Sequence, residues 1–191
     1  SLGERQSKVR IVARYIGGGF GSKLGISPDT VATAIAAKAV GRPVKTVMTR
    51  QQVFEATVRR SNTQQRFRLA ADAEGKLTGI GHETLCSNLP GEGYFEPAGQ
   101  ATQFLYGGEN RVITHDVVEL NRTLSGSMRA PGEAVGLLAL ENAMDELAEK
   151  TGIDPVELRR RNDPAQDPQK DVPFSTRSLT RCLDAGAKAF G

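Results

Sequence analysis

The sequence predicts an α+β domain, a mixed β-sheet packed with α-helices. Three observations carry this. Two β-rich runs, Gln64 to Ala71 and Leu77 to Ser87, flank the turn Asp72-Ala73-Glu74-Gly75-Lys76 and read as a hairpin. From Glu133 to Lys150, residues Leu137, Leu140, Met144, Leu147 and Ala148 recur at helical spacing, and Gly152 ends the run. Between a strand-like run at 8–15 and a helix-like run from Asp29 lies a glycine cluster, Gly17-Gly18-Gly19-Phe20-Gly21-Ser22-Lys23.

The elements follow in order. Residues 8–15 alternate and are rich in β-branched side chains, so a strand is expected to enter the glycine loop. A helix is expected over Asp29–Val40, with Ser27 as N-cap, Pro28 at the first position, and Gly41 and Pro43 as terminators. Val31, Ala34, Ile35 and Ala39 share one face, and Lys38 points away from it. Pro43 to Thr49 reads as a second strand and Arg50 to Ala56 as a short helix. Residues 88–110 are loop-rich yet hold Tyr94, Phe95, Phe104 and Tyr106, the makeup of a binding or interface surface. Arg111 to Leu120 returns to strand. Asp154-Pro155-Val156-Glu157 opens a short helix to Arg161 with a capping box. Residues 162–177 read as a linker, and a last helix from Leu179 carries Cys182 and Leu183. The 29–40 and 133–150 helices are expected to cover the sheet.

Composition narrows the function classes. The chain has 191 residues, 38% hydrophobic and 25% charged, the balance of a soluble globular protein. No apolar run reaches membrane-spanning length, and Ser1-Leu2-Gly3-Glu4-Arg5 does not read as a secretory signal. The net charge of +3 is small and spread out, and Arg159-Arg160-Arg161 reads as the solvated end of a helix. With three Tyr, seven Phe and no Trp, there is little material for stacking nucleic-acid bases. Cys86 and Cys182 stand far apart, as do His82 and His115, so no zinc or iron–sulfur ligand set is expected and both cysteines read as free.

The glycine cluster lets backbone N–H groups approach a ligand with no Cβ in the way. Its spacing fits neither familiar phosphate loop. Lys23 follows Ser22 and precedes Leu24, which is not a Walker sequence, and a Gly-x-Gly-x-x-Gly frame starting at Gly17 meets Ser22 at its third glycine. An anion cradle and a plain glycine turn both remain open on these residues. A second stretch, Ser127-Met128-Arg129-Ala130-Pro131-Gly132-Glu133, sets a guanidinium beside backbone donors just ahead of the long helix. That suits binding or polarising an oxygen, or an arginine that ties down a loop.

Taken together, the glycine cluster, Gly41-Arg42-Pro43-Val44-Lys45, Thr49-Arg50, Met128-Arg129-Ala130-Pro131-Gly132-Glu133, Asp145-Glu146-Leu147-Ala148, Asp154-Pro155-Val156-Glu157-Leu158-Arg159 and Arg161-Asn162 resemble the molybdenum-binding subunit of the xanthine dehydrogenase/aldehyde oxidase family. The style is that of its bacterial aldehyde oxidoreductase members, and the likeness runs from about residue 8 to residue 190.

The resemblance implies a molybdenum–molybdopterin cofactor, in the cytosine dinucleotide form, with the metal bound through the pterin dithiolene rather than by side chains. It implies that Phe20 and Gly21 neighbour the cofactor and that Gly18 and Gly19 permit its close approach. Arg129 would be the catalytic cation near the metal, and the Ala130 N–H would hold an oxygen of cofactor or substrate. The implied reaction is hydroxylation with water as oxygen source, with electrons leaving to a 2Fe–2S subunit and an FAD subunit of a heterotrimeric complex. Leu24 stands where purine-oxidising members tend to carry a glutamate, so an aldehyde is expected over a purine, with N-heterocycles as the alternative. Phe95 and Glu96 would line the substrate funnel.

By the same resemblance residues 1–162 form part of the first cofactor-binding domain, 163–177 a linker and 178–191 the start of a second subdomain. The family's upstream glutamine and its general-base glutamate have no counterpart here; Glu141, Glu146, Glu149 and Glu157 do not occupy the latter's motif. The chain is therefore expected to be an internal piece of a longer or split subunit, inactive alone, without retained cofactor and able to self-associate. Its expected compartment is the cytoplasm, or the periplasm with a twin-arginine partner. Two other classes compete: a non-catalytic assembly module of such a complex, and a nucleotide-phosphate binding module.

Overall fold

Ser27 is extended and Pro28 occupies the first turn of α1 (Pro28–Val40), which Gly41 ends in the left-handed conformation at φ 61°. This start and stop match the sequence pattern. The computed structural model describes residues 3–191, which fall into two compact units. The first comprises the chain up to Ser61 with Asn88–Tyr94 and Glu119–Arg129; the second comprises Asn62–Ser87, Phe95–Val118 and Ala130–Gly191.

In the first unit, α2 (Arg50–Ala56) opens with a capping box that the sequence reading did not name. Thr49 Oγ1 accepts the Gln52 amide at 3.3 Å, and Gln52 Oε1 accepts the Thr49 amide at 2.8 Å. The strands expected at 8–15 and 43–49 are not formed: the first begins in a 3-10 turn (Gln6–Lys8), and both runs continue without a ladder among the described residues. Alternation favours an extended backbone, but a strand also needs a neighbouring edge to pair with. α1 buries no residue, and Val31 and Ile35, on its apolar face, are exposed. Asn88 knits the unit's separate segments together. Its buried side chain accepts the Ser125 amide and donates to the Tyr94 carbonyl, each at 2.9 Å.

The second unit holds the sheet. β1 (Thr63–Ala71) and β2 (Leu77–Asn88) form the expected antiparallel hairpin, with Phe67 opposite His82. β3 (Asn110–Glu119) joins β2 on its other side. Asn110 bonds to Thr78 at the start of both strands and Leu120 to Asn88 at their ends, so β2 and β3 run parallel and the sheet is mixed. The alternating burial along β1 marks the face on which α3 (Glu133–Thr151) packs. Leu140, Met144 and Ala148, one helical turn apart, meet Leu77, Ile80, Tyr106 and Leu158 in the core. Tyr106 thus belongs to the core and not to a loop surface; its hydroxyl donates to Glu141 at 2.8 Å.

α4 (Pro155–Arg161) is capped by Asp154, which accepts the Val156 and Glu157 amides. The reciprocal half of the expected capping box is missing because Arg160 and Arg161 hold the Glu157 carboxylate. Arg159 departs from the expected solvated cluster: it is largely buried and pairs with Glu141 at 2.7 Å and Asp145 at 2.8 Å. The run read as a linker contains a small hairpin, β4 (Gln166–Asp167) and β5 (Val172–Pro173), ahead of α5 (Leu179–Phe190). Cys86 is buried and Cys182 exposed, both as free thiols. No helix among the described residues is long and apolar enough to cross a membrane.

Candidate functional site

The glycine loop is pinned from three sides within the first unit. Ser22 turns back on it, its amide and hydroxyl both donating to the Gly19 carbonyl at 2.9 and 2.8 Å. Lys23 Nζ donates to the Ile16 carbonyl at 2.9 Å and closes the base of the turn. The third tie comes from the second motif: the Arg129 amide donates to the Phe20 carbonyl at 2.6 Å. The two stretches singled out in the sequence therefore meet. Arg60, which no sequence signal marked, donates from its guanidinium to the Arg129 carbonyl. Ser22 did carry a signal, since serine beside a tight turn bonds back to the backbone.

These ties hold Phe20 at φ 52°, a left-handed conformation that a bulky L-residue rarely adopts. Its ring lies over Gly18, where a Cβ would stand 2.9 Å from ring carbon Cε2, and it remains 67% exposed. A Cβ on Gly21 would stand 2.8 Å from the Ser127 carbonyl oxygen, so the two loops approach at backbone distance. None of the amides from Gly17 to Gly21 donates a hydrogen bond among the described residues. The Arg129 side chain is exposed, and its guanidinium likewise makes no hydrogen bond or ion pair among them. Open amides and one free guanidinium form a donor set for oxygen atoms and anions. No group of three His, Cys, Asp or Glu among the described residues could hold a metal ion.

The remaining expected site residues divide between the units. Leu24 lies beyond the loop in the first unit, 77% exposed. Ala130 begins the last segment of the second unit and shares the left-handed conformation of Phe20, at φ 55°. Phe95, in the second unit, tilts against His115 with ring centroids 5.3 Å apart. Together with Phe104, Gln103 and Lys170 they line an open cavity of about 410 Å³. Burial pushes the His115 pKa down, and its Nε2 accepts the Gly99 amide at 2.9 Å, so the neutral ring carries its proton on Nδ1. Glu96 is not a funnel residue. It is fully buried, and its Oε1 accepts the Gly132 amide at 2.5 Å.

Residues 1–163 match the molybdopterin cofactor-binding domain family. The chain belongs to that family. It is 49% identical over 184 residues to the aldehyde oxidoreductase molybdenum-binding subunit PaoC of Escherichia coli (strain K12), covering 96% of this chain and 25% of that protein. Identity to the xanthine dehydrogenase molybdenum-binding subunit of Escherichia coli O157:H7 is 28%, over the same shares of the two chains. Among solved structures, the aldehyde oxidoreductase from Desulfovibrio gigas superposes with a TM-score of 0.81 at 29% identity, covering 91% of this chain and 20% of that one. The chain thus spans about a quarter of the length of the curated relatives it matches. The α+β fold with its mixed sheet is that of the molybdopterin-binding domain of these oxidoreductases.

The donor set fits the family's cofactor. Five consecutive open amides and a free guanidinium suit the oxygen-rich edges of a pterin-bound oxo-metal group, and no carboxylate stands among residues 17–23 or 127–129 to repel it.

Proposed function

We propose that the chain is the molybdopterin-binding part of a molybdenum hydroxylase that oxidises aldehydes with water as oxygen source. The observation that carries this reading is the hydrogen bond from the Arg129 amide to the Phe20 carbonyl, which fixes the glycine loop against the arginine loop. When bound, the cofactor supplies an activated water-derived nucleophile and a sink for two electrons.

This chain's residues bind and orient. Gly18 and Gly19 leave the backbone bare, and the amides of Phe20 and Gly21 donate to the cofactor. Arg129 stabilises negative charge that develops on the substrate oxygen. The Ala130 N–H is a further donor to that oxygen or to the cofactor. Leu24 offers an aliphatic surface with no acceptor for a heterocyclic N–H, which supports an aldehyde over a purine; Phe95 is a further pocket wall. Glu141 and Glu157 are engaged by arginines; by the family resemblance the general-base glutamate belongs to another part of the parent subunit, and the isolated chain is proposed not to turn over.

The cofactor is proposed to be the cytosine dinucleotide form, and the electron route a 2Fe–2S subunit followed by an FAD subunit. Residues 178–191, at α5, are proposed to begin a second cofactor-binding subdomain. The exposed Ile11, Tyr15 and Ile26 support both self-association of the isolated chain and the second reading, a non-catalytic assembly module.

The test is aldehyde oxidation by the full-length subunit with its electron-transfer partners, as wild type and Arg129→Ala. A fall in kcat of about 10²–10³-fold is expected, as for removal of one charge-stabilising donor. Unchanged turnover overturns the role of Arg129, and absence of turnover in the wild type favours the assembly module. Stoichiometric molybdenum in the isolated chain would contradict its proposed loss of cofactor.

A further inference from the structure

We propose that Glu96 is the positioning residue for the Ala130 amide. The inference rests on the reading of that amide as a cofactor donor and adds the group that aims it. α3 starts at Glu133, and its N-cap, Gly132, has no side chain with which to cap the helix. Glu96 supplies the acceptor from elsewhere in the chain: its Oε1 takes the Gly132 N–H at 2.5 Å. A carboxylate with no solvent exposure, at the positive end of a 19-residue helix, makes a charge-assisted bond there.

The backbone contact beneath this bond admits no adjustment. A Cβ on Gly132 would run into the Pro97 carbonyl, and one on Gly136 into the Ala98 carbonyl. The helix start therefore lies backbone to backbone on the three residues that begin with Glu96. Ala130 sits two residues before the cap, and its carbonyl accepts the Ala134 amide at 3.1 Å. Its turn is held by the first helical turn on one side and by Glu96 on the other, with Pro131 locking φ between them. That pairing of anchors keeps Ala130 at φ 55° and sets the direction of its N–H.

The experiment is amide NMR with hydrogen exchange on the 191-residue chain as wild type, Glu96→Gln and Glu96→Ala. In Glu96→Ala the Gly132 amide is expected to exchange at least about tenfold faster. The Ala130 amide resonance should move, while Leu140 and Met144 stay protected. Glu96→Gln, which keeps an acceptor but loses the charge, should restore most of the Gly132 protection. Unchanged Gly132 and Ala130 signals in Glu96→Ala, or a loss of protection spread evenly along α3, overturn the proposal. If Glu96→Ala does not fold, Glu96→Asp decides: it withdraws the acceptor by one methylene, so unmoved Gly132 and Ala130 resonances overturn the clamp. Molybdopterin content of a full-length subunit carrying Glu96→Ala or Glu96→Asp separates the two readings. Moved resonances with full cofactor content leave the clamp intact and overturn the donor role of Ala130.

Discussion

The Arg129 amide donates to the carbonyl of Phe20 at 2.6 Å, and the phenylalanine it holds sits at φ 52°. A left-handed non-glycine residue costs about 1–2 kcal/mol, so the conformation persists only where surrounding contacts determine it. Here the Arg129 tie and the two bonds from Ser22 to Gly19 on the preceding turn do so.

Gly21 is where this arrangement is most easily broken. It sits at φ 99°, and a Cβ would meet the Ser127 carbonyl oxygen at 2.8 Å and Met128 Cα at 2.9 Å. Gly21→Ala is expected to push the two loops apart, move the Arg129 amide resonance and cost about 1–3 kcal/mol. Gly25→Ala is the control, because a Cβ there has nothing within 4 Å. Chemical denaturation and amide spectra of both variants check this; equal effects at the two sites would show that the loops do not depend on close approach.

His82 makes the fold acid-sensitive. It is buried and stacked on Phe67 with ring centroids 3.9 Å apart. Its Nδ1 lies 2.9 Å from Thr102 Oγ1 and its Nε2 3.0 Å from Gln65 Oε1. Burial, with a smaller contribution from His115, lowers its pKa from 6.5 to about 4. The unfolded chain therefore takes up this proton first. The stabilisation is complete above about pH 6.5, is lost progressively as pH falls towards 4, and amounts to about 3 kcal/mol at most. Unfolding free energy measured from pH 7.5 to 4 should show this slope, and His82→Gln should flatten most of it. An unaltered slope in the variant would assign the acid sensitivity to other groups.

Asn162 joins the hairpin turn to α4 from a buried position. Its Oδ1 accepts the Leu77 amide at 2.7 Å, and its Nδ2 donates to the carbonyls of Gly75 at 2.9 Å and Leu158 at 2.8 Å. Asn162→Ala leaves the Leu77 amide and the Gly75 carbonyl without their partner, at about 2–4 kcal/mol. Asn162→Asp should cost more, because it removes both N–H donors and aims a charge at two carbonyl oxygens. Urea unfolding decides: a loss below about 0.5 kcal/mol for either variant would mean that water replaces the side chain.

The hairpin, α2, α3, α4 and α5 were legible because their patterns are local: period two around a glycine turn, period 3.6 between caps. The runs at 8–15 and 43–49 carry the same kind of local pattern, yet pairing depends on an edge that no sequence window contains. The loop aromatics show the limit of a local reading from the other side. Tyr106 looked like its neighbours Phe95 and Phe104 in sequence, and only the packing against Leu140 and Met144 places it in the core. For the candidate site, the glycines and Arg129 stood out by spacing and resemblance. Their junction through the Phe20 carbonyl did not, because a non-glycine at positive φ has no composition signature. The sequence points Glu96 to a pocket wall, because a glutamate between an aromatic and a proline in a loop carries no sign of burial; the helix it caps begins 37 residues later.

Gly132, the residue that caps α3, and Gly136, in its first turn, both lie flush against the Pro97 and Ala98 backbone. Turning the helix by one residue, about 100°, would drive Val135 or Leu137 into that backbone. The angular phase of α3 is thus fixed by a seam without side chains, as a keyway fixes a shaft. Substitutions elsewhere along α3 can soften its packing without changing where it points.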